Sequence, residues 1–197
     1  MQTLHKIDRD SLLGLESYAR QRKEFRAKVM AHKKSRMVHL GAHVTLIFED
    51  ELTIRYQVQE MLRIERTFEE QAIQDELDAY NPLLPDGRNF KATMMIEYAD
   101  AEERKQALAK LRGIEDRVWI QVEGCKRVYA IADEDLPREN EEKTSAVHFL
   151  RFELSDEMAQ ALKYGVGLAL GIDHGSYQAE SSAVAAEVRA SLTQDLA

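Results

Sequence analysis

Residues 144–172, TSAVHFLRFELSDEMAQALKYGVGLALGI, decide the fold class, because they read as a strand, a helix and a second strand in succession. No Gly or Pro interrupts residues 144–154, and the run is rich in branched and aromatic side chains, so it predicts a long strand. Ser155 is placed to cap a helix through Tyr164, and residues 166–172 form the next expected strand. Alternation puts Ala146, His148, Leu150, Phe152 and Leu154 on one face. His148 therefore points the same way as four apolar residues, while Val147, Phe149, Arg151 and Glu153 occupy the other face. Gly165, Gly167 and Gly171 alternate with Val166, Leu168 and Leu170 and read as a small-residue face for close packing. They do not resemble a phosphate loop, since no lysine or helix start follows them.

Working outward, residues 90–98 predict a strand, Asp100 and Glu103 have capping-box spacing for a helix to Arg112, and Gly113 fits its C-terminus. Residues 118–122 and 128–131 then read as a hairpin around Glu123-Gly124. Residues 37–49, broken by Gly41, read as two short strands or one bent strand. Two helices flank them: one capped by Asp8 or Asp10 and running to His32, and one from Leu52 that breaks near Glu69, resumes through Tyr80 and stops at Asn81-Pro82. Residues 133–143 are acidic, contain Pro137 and read as a solvated loop or short helical turn. The sum is an α+β single domain over residues 1–177, with a mixed, largely antiparallel sheet and packed helices. Residues 178–197, rich in Ala, Ser and Gln, read as a loosely helical or disordered tail.

A chain of 197 residues with 44% hydrophobic residues is long enough for one sizeable core. Its single cysteine, Cys125, permits no internal disulfide and cannot alone hold a cysteine-ligated metal. No apolar run has the length of a membrane span and the N-terminus lacks a signal-peptide stretch, so the expected location is cytoplasmic. The net charge of −8 conceals an asymmetry. Residues 20–36 hold eight basic side chains against Glu24 alone, a net of +7, which leaves −15 for the rest. Arg20, Lys23, Arg26, Lys33, Lys34 and Arg36 are thus candidate partner-binding residues for an acidic surface, or else a solvated helix face. The acidic total and the lack of interleaved aromatics speak against general nucleic-acid binding.

Candidate chemistry centres on two polar groups set among apolar ones. At 100° per residue, Ile54, Val58, Met61, Leu62, Ile64 and Phe68 share one arc of the helix from Leu52, and Glu65 falls inside it. A carboxylate buried there must be protonated, paired or metal-bound. One reading pairs Glu65 with Arg22 or Arg151. The other joins Glu65 and His148 to His39 or His43 as an oxygen and nitrogen site suited to iron, zinc or manganese. His148 alone is equally a hydrogen-bonded core histidine. No Glu-x-x-His pair, nucleophile elbow, P-loop or His-Glu-x-x-His motif is present.

The segments LGAHVTLIFED, IRYQVQEMLRIERTFEEQAIQDELDAYNPLLPDG, GIEDRVWIQVEG, IADEDLPRENEEKTSAVHFLRFEL and GIDHGSY, in this order, resemble a bacterial family of uncharacterised proteins. The resemblance runs from about Asp8 to Tyr177 and is most specific over residues 52–87. Members are often encoded beside a rubrerythrin-like protein and an iron-sulfur oxidoreductase. It implies a setting of peroxide defence or electron transfer, with such proteins as partners, and carries over no catalytic residue. Two functions are therefore expected: an accessory protein of a cytoplasmic redox system that acts by protein contact, or a metal-binding protein or small enzyme using Glu65 and His148.

Overall fold

The computed structural model describes residues 6–135, 138 and 142–197; Pro137 of the acidic stretch lies outside them. Six α-helices appear among the described residues: α1 (Leu15–Lys34), α2 (Glu51–Glu65), α3 (Glu70–Tyr80), α4 (Ala101–Lys110), α5 (Asp156–Lys163) and α6 (Ala186–Thr193). Nine strands accompany them: β1 (Met37–Leu40), β2 (Val44–Phe48), β3 (Asn89–Ile96), β4 (Val118–Val122), β5 (Val128–Tyr129), β6 (Ile131–Ala132), β7 (Val147–Glu153), β8 (Leu168–His174) and β9 (Tyr177–Ser181). The α+β single domain holds, with one change. In place of one mixed sheet there are two, ordered β1-β2-β3-β7-β6 and β5-β4-β8-β9, and every strand pair is antiparallel. The division falls inside residues 128–131, which read as one strand in sequence. Val128 and Tyr129 pair with β4, Ile131 and Ala132 pair with β7, and Ala130 is where the chain crosses between sheets.

The sheets face each other across one core. Leu46, Phe48, Phe90, Met94, Leu150 and Phe152 meet Val118, Ile120, Leu168, Leu170 and Ile172 there. Burying an aliphatic or aromatic side chain of this kind contributes roughly 1.5–3 kcal/mol. A second apolar cluster joins Ile54, Val58 and Leu62 of α2 to Ile73 and Leu77 of α3 and to Ile7 and Leu12. Local chemistry sets the helix ends. Asp50 accepts from Thr53 N at 3.0 Å while Thr53 Oγ1 accepts from Asp50 N at 2.9 Å, a capping box that starts α2. Arg66, at φ 54°, stops it in the left-handed region.

Three elements differ from the sequence reading. Asp8 accepts from Ser11 N at 2.8 Å and caps a 3-10 turn at Arg9–Ser11, so α1 starts only after Gly14. The strand expected over residues 144–154 begins at Val147. Residues 178–197, read as a loose tail, contain most of β9 and all of α6, with Val184, Val188, Leu192 and Leu196 buried in the main core. Val188 and Leu192, four apart, share one face of α6, a stripe masked by the surrounding Ala and Ser, and Val184 and Leu196 flank the helix. The small-residue reading holds at Gly171, where the Trp119 ring lies so close that a Cβ would overlap Cζ2.

Candidate functional site

The structure separates the proposed ligands of the metal reading. His148 is fully buried on the core face of β7. His39 is exposed on β1, with β2 and β3 between it and β7, and its Nδ1 lies 3.0 Å from Thr45 Oγ1. His43, in the β1–β2 turn, stacks on Tyr98 at 3.9 Å between ring centroids and meets the Glu97 carbonyl at 3.0 Å. Glu65 is exposed at the last position of α2, and Ile64 and Phe68 beside it are 62% and 74% exposed. Its helical phase matches Val58 and Leu62, but the chain turns away at Arg66 and nothing among the described residues buries this end. Neither expected arginine partner is available to it. Arg22 binds Glu60 through two bonds of 2.7 and 2.8 Å, and Arg151 binds Glu134 through two of 2.8 Å.

His148 instead meets two acids absent from the sequence reading. Its Nδ1 lies 2.6 Å from Asp133 Oδ2. Its Nε2 lies 3.0 Å from Thr144 Oγ1, 3.1 Å from the Ser145 carbonyl and 3.8 Å from Glu115 Oε2. Thr144 donates in turn to Glu115 Oε2 at 3.3 Å. A carboxylate and a peptide carbonyl both only accept, so the ring is held by acceptors at both nitrogens and stands between two buried acids, Asp133 and Glu115. Asp133 is buried rather than solvated: its Oδ1 accepts from Phe149 N at 2.9 Å, and its φ of 48° is a conformation that Asp tolerates better than most residues. This clasp ties the segment after β6 to β7. Asp133 is the first acid of a charged run and Glu115 sits in a turn before β4, so neither carries a periodic signal pointing at His148.

The same three residues place their ligand atoms within 4.8 Å of one another, which invites a metal reading. The geometry fits a hydrogen-bonded cluster better. Two donors on one ion at about 2.1 Å each stand roughly 3 Å or more apart, whereas His148 and Asp133 are at hydrogen-bond distance and Glu115 lies toward the opposite ring nitrogen.

The basic segment is divided by burial. Arg36 is only 1% exposed and is committed inward, donating to the Phe48 carbonyl at 2.9 Å and the Glu49 carbonyl at 3.1 Å and pairing with Asp195. It is removed from the candidate docking set. Arg20, Lys23, Arg26 and Lys34 are exposed and Lys33 is half-buried. At 100° per residue these five span an arc of about 140° on α1, beside the face that buries Tyr18 and Val29. Arg20 pairs with Glu16; Lys23, Arg26, Lys33 and Lys34 form no ion pair among the described residues.

A family model described as "Protein of unknown function (DUF3501)" matches residues 6–196. The match extends past Tyr177, where the sequence resemblance was expected to end, and takes in α6. The chain is also similar to the crystal structure of a novel protein of unknown function from Burkholderia pseudomallei K96243, at 55% identity and a TM-score of 0.94, covering 98% of this chain and 100% of that one. No curated protein matches the chain.

Proposed function

The chain belongs to the DUF3501 family of proteins of unknown function, and from that premise we propose that it is an accessory protein that docks onto an acidic partner through the outer face of α1. The observation that carries this reading is the row of exposed cations Lys23, Arg26 and Lys34, without an ion pair among the described residues, on a chain of net charge −8. Such a patch steers an acidic surface into register and raises the encounter rate. The polar groups of the His148 cluster and of the Arg22–Glu60 pair are bonded to one another, which suits structural service better than turnover. The resemblance read from the sequence names the partner class, a rubrerythrin-like or iron-sulfur protein of a redox or peroxide-defence system. No helix among the described residues is long and apolar enough to cross a membrane.

The test is a low-salt pull-down of the tagged full chain at native expression level, followed by affinity measurement with the recovered partner. Raising ionic strength from about 0.05 to 0.3 M and introducing Lys23→Glu with Arg26→Glu should each weaken the association about tenfold or more. Association that tolerates both changes would remove the reading.

A further inference from the structure

Alternation along β3 and β7 sends Lys91, Phe149 and Arg151 to the sheet face turned away from the core. There, against the turn at Asn81–Leu83, lies a cavity of about 410 Å³. This falls within the size range of small-ligand sites, roughly 300–1,000 Å³. Pro82, Leu83 and Phe149 contribute apolar wall; Glu49, Lys91 and Arg151 contribute charge.

Two of those three charges are already answered. Arg151 bonds Glu134 and reaches Glu153 at 2.5 Å, and it holds the Glu134 carboxyl below its usual range. Glu49, nearly fully buried, accepts the hydroxyls of Thr53 at 2.5 Å and Thr93 at 2.6 Å. Lys91 differs. It stands directly across the β2–β3 ladder from Glu49, whose N–H donates to the Lys91 carbonyl at 2.8 Å, yet its ammonium makes no ion pair among the described residues. Half-buried, it offers up to three donors, and burial lowers its affinity for the proton while the nearby acids Glu134, Asp86 and Glu153 act to raise it. An incoming carboxylate would give this ammonium the ion-pair partner that it does not have among the described residues.

We propose that this cavity binds a small monocarboxylic acid with a short apolar body, its carboxylate on the Lys91 ammonium and its hydrocarbon against Phe149, Leu83 and Pro82. The acids Glu49, Asp86, Glu134 and Asp135 around the cavity select against more than one negative charge, because a phosphate dianion meets like charge on several sides. The Asp133–His148 clasp contributes indirectly. By fixing the chain at Asp133 it holds Glu134 on Arg151 and so keeps that guanidinium from competing for the ligand. The site is independent of the α1 docking face.

The experiment titrates 4-methylpentanoate, 4-methylpentan-1-ol and inorganic phosphate separately into the full chain and follows side-chain resonances by NMR. The carboxylate should saturate shifts at Lys91, Leu83 and Phe149, with the alcohol and phosphate about tenfold weaker or more. Lys91→Met should weaken the carboxylate by a similar factor. Since that variant could lose affinity through misfolding, the Lys91 titration midpoint is also read in the unsubstituted protein, where bound carboxylate should raise it. Absence of saturable shifts at these residues, equal or tighter binding of the alcohol or phosphate, or an unmoved Lys91 midpoint overturns the proposal.

Discussion

Glu60 and Glu65, five positions apart on α2, show how burial and helical phase diverge at the scale of a residue. Glu65 has the phase of the apolar stripe and is exposed; Glu60 lies on the face read as polar and is three-quarters enclosed or more, because α1 packs against that face. Two helices flank α2, and a one-stripe reading of it finds only the contact with α3. The Arg22 guanidinium, assisted by the Tyr18 hydroxyl at 2.8 Å, pulls the Glu60 carboxyl from its ordinary 4.5 to about 2, although burial acts in the other direction. A depressed carboxyl stabilises the fold above its unfolded pKa and loses that contribution as pH falls through the folded one. The unfolding free energy of the natural chain should therefore drop between about pH 4.5 and 2 by about 1–2 kcal/mol more than that of Glu60→Gln, allowing for solvent screening. Parallel slopes in urea unfolding across that window would show that the pair contributes little.

Elements were legible where one surface decides them. The segment 147–153 has a single buried face, and alternation assigned His148, Leu150 and Phe152 to it correctly. Residues 128–132 defeated the same reasoning, since each half pairs with a different sheet and no periodicity records a change of partner. Gly171 gives a sharper test at this scale. It lies against the Trp119 ring, over which the Arg127 guanidinium stands 3.7 Å from the centroid. A Cβ there would overlap the indole and lie 2.9 Å from the Ala179 carbonyl oxygen, and neither the ring nor that backbone can yield easily. Gly171→Ala should cost about 1–3 kcal/mol in chemical unfolding and alter the near-ultraviolet circular dichroism of the single tryptophan. An unchanged spectrum with full stability would mean that β4 and β8 separate at little cost.

For the whole molecule, the decisive connection is between the two ends of the sequence. Arg36, at the start of β1, reaches the Ser191 carbonyl and Asp195 beyond α6, and burial lifts the Asp195 carboxyl to about 6 even with that cation beside it. Arg36→Ala would strand a buried acid and the Phe48 and Glu49 carbonyls, at a cost of about 3–5 kcal/mol in urea unfolding, while Lys23→Ala should stay within about 0.5 kcal/mol. Equal effects would mean that the basic segment acts uniformly. The sequence by itself determined the α+β class, most helices and strands, the inward face of β7 and the concentration of positive charge before β1, because periodicity, capping and local charge act over a few neighbouring residues. Only the tertiary structure decided that there are two sheets, that the last twenty residues belong to the core, that Asp133 and Glu115 rather than Glu65 meet His148, and that Arg36 is unavailable at the surface. Each of those outcomes depends on which distant segment covers a side chain, and coverage is a property of packing that no local pattern encodes.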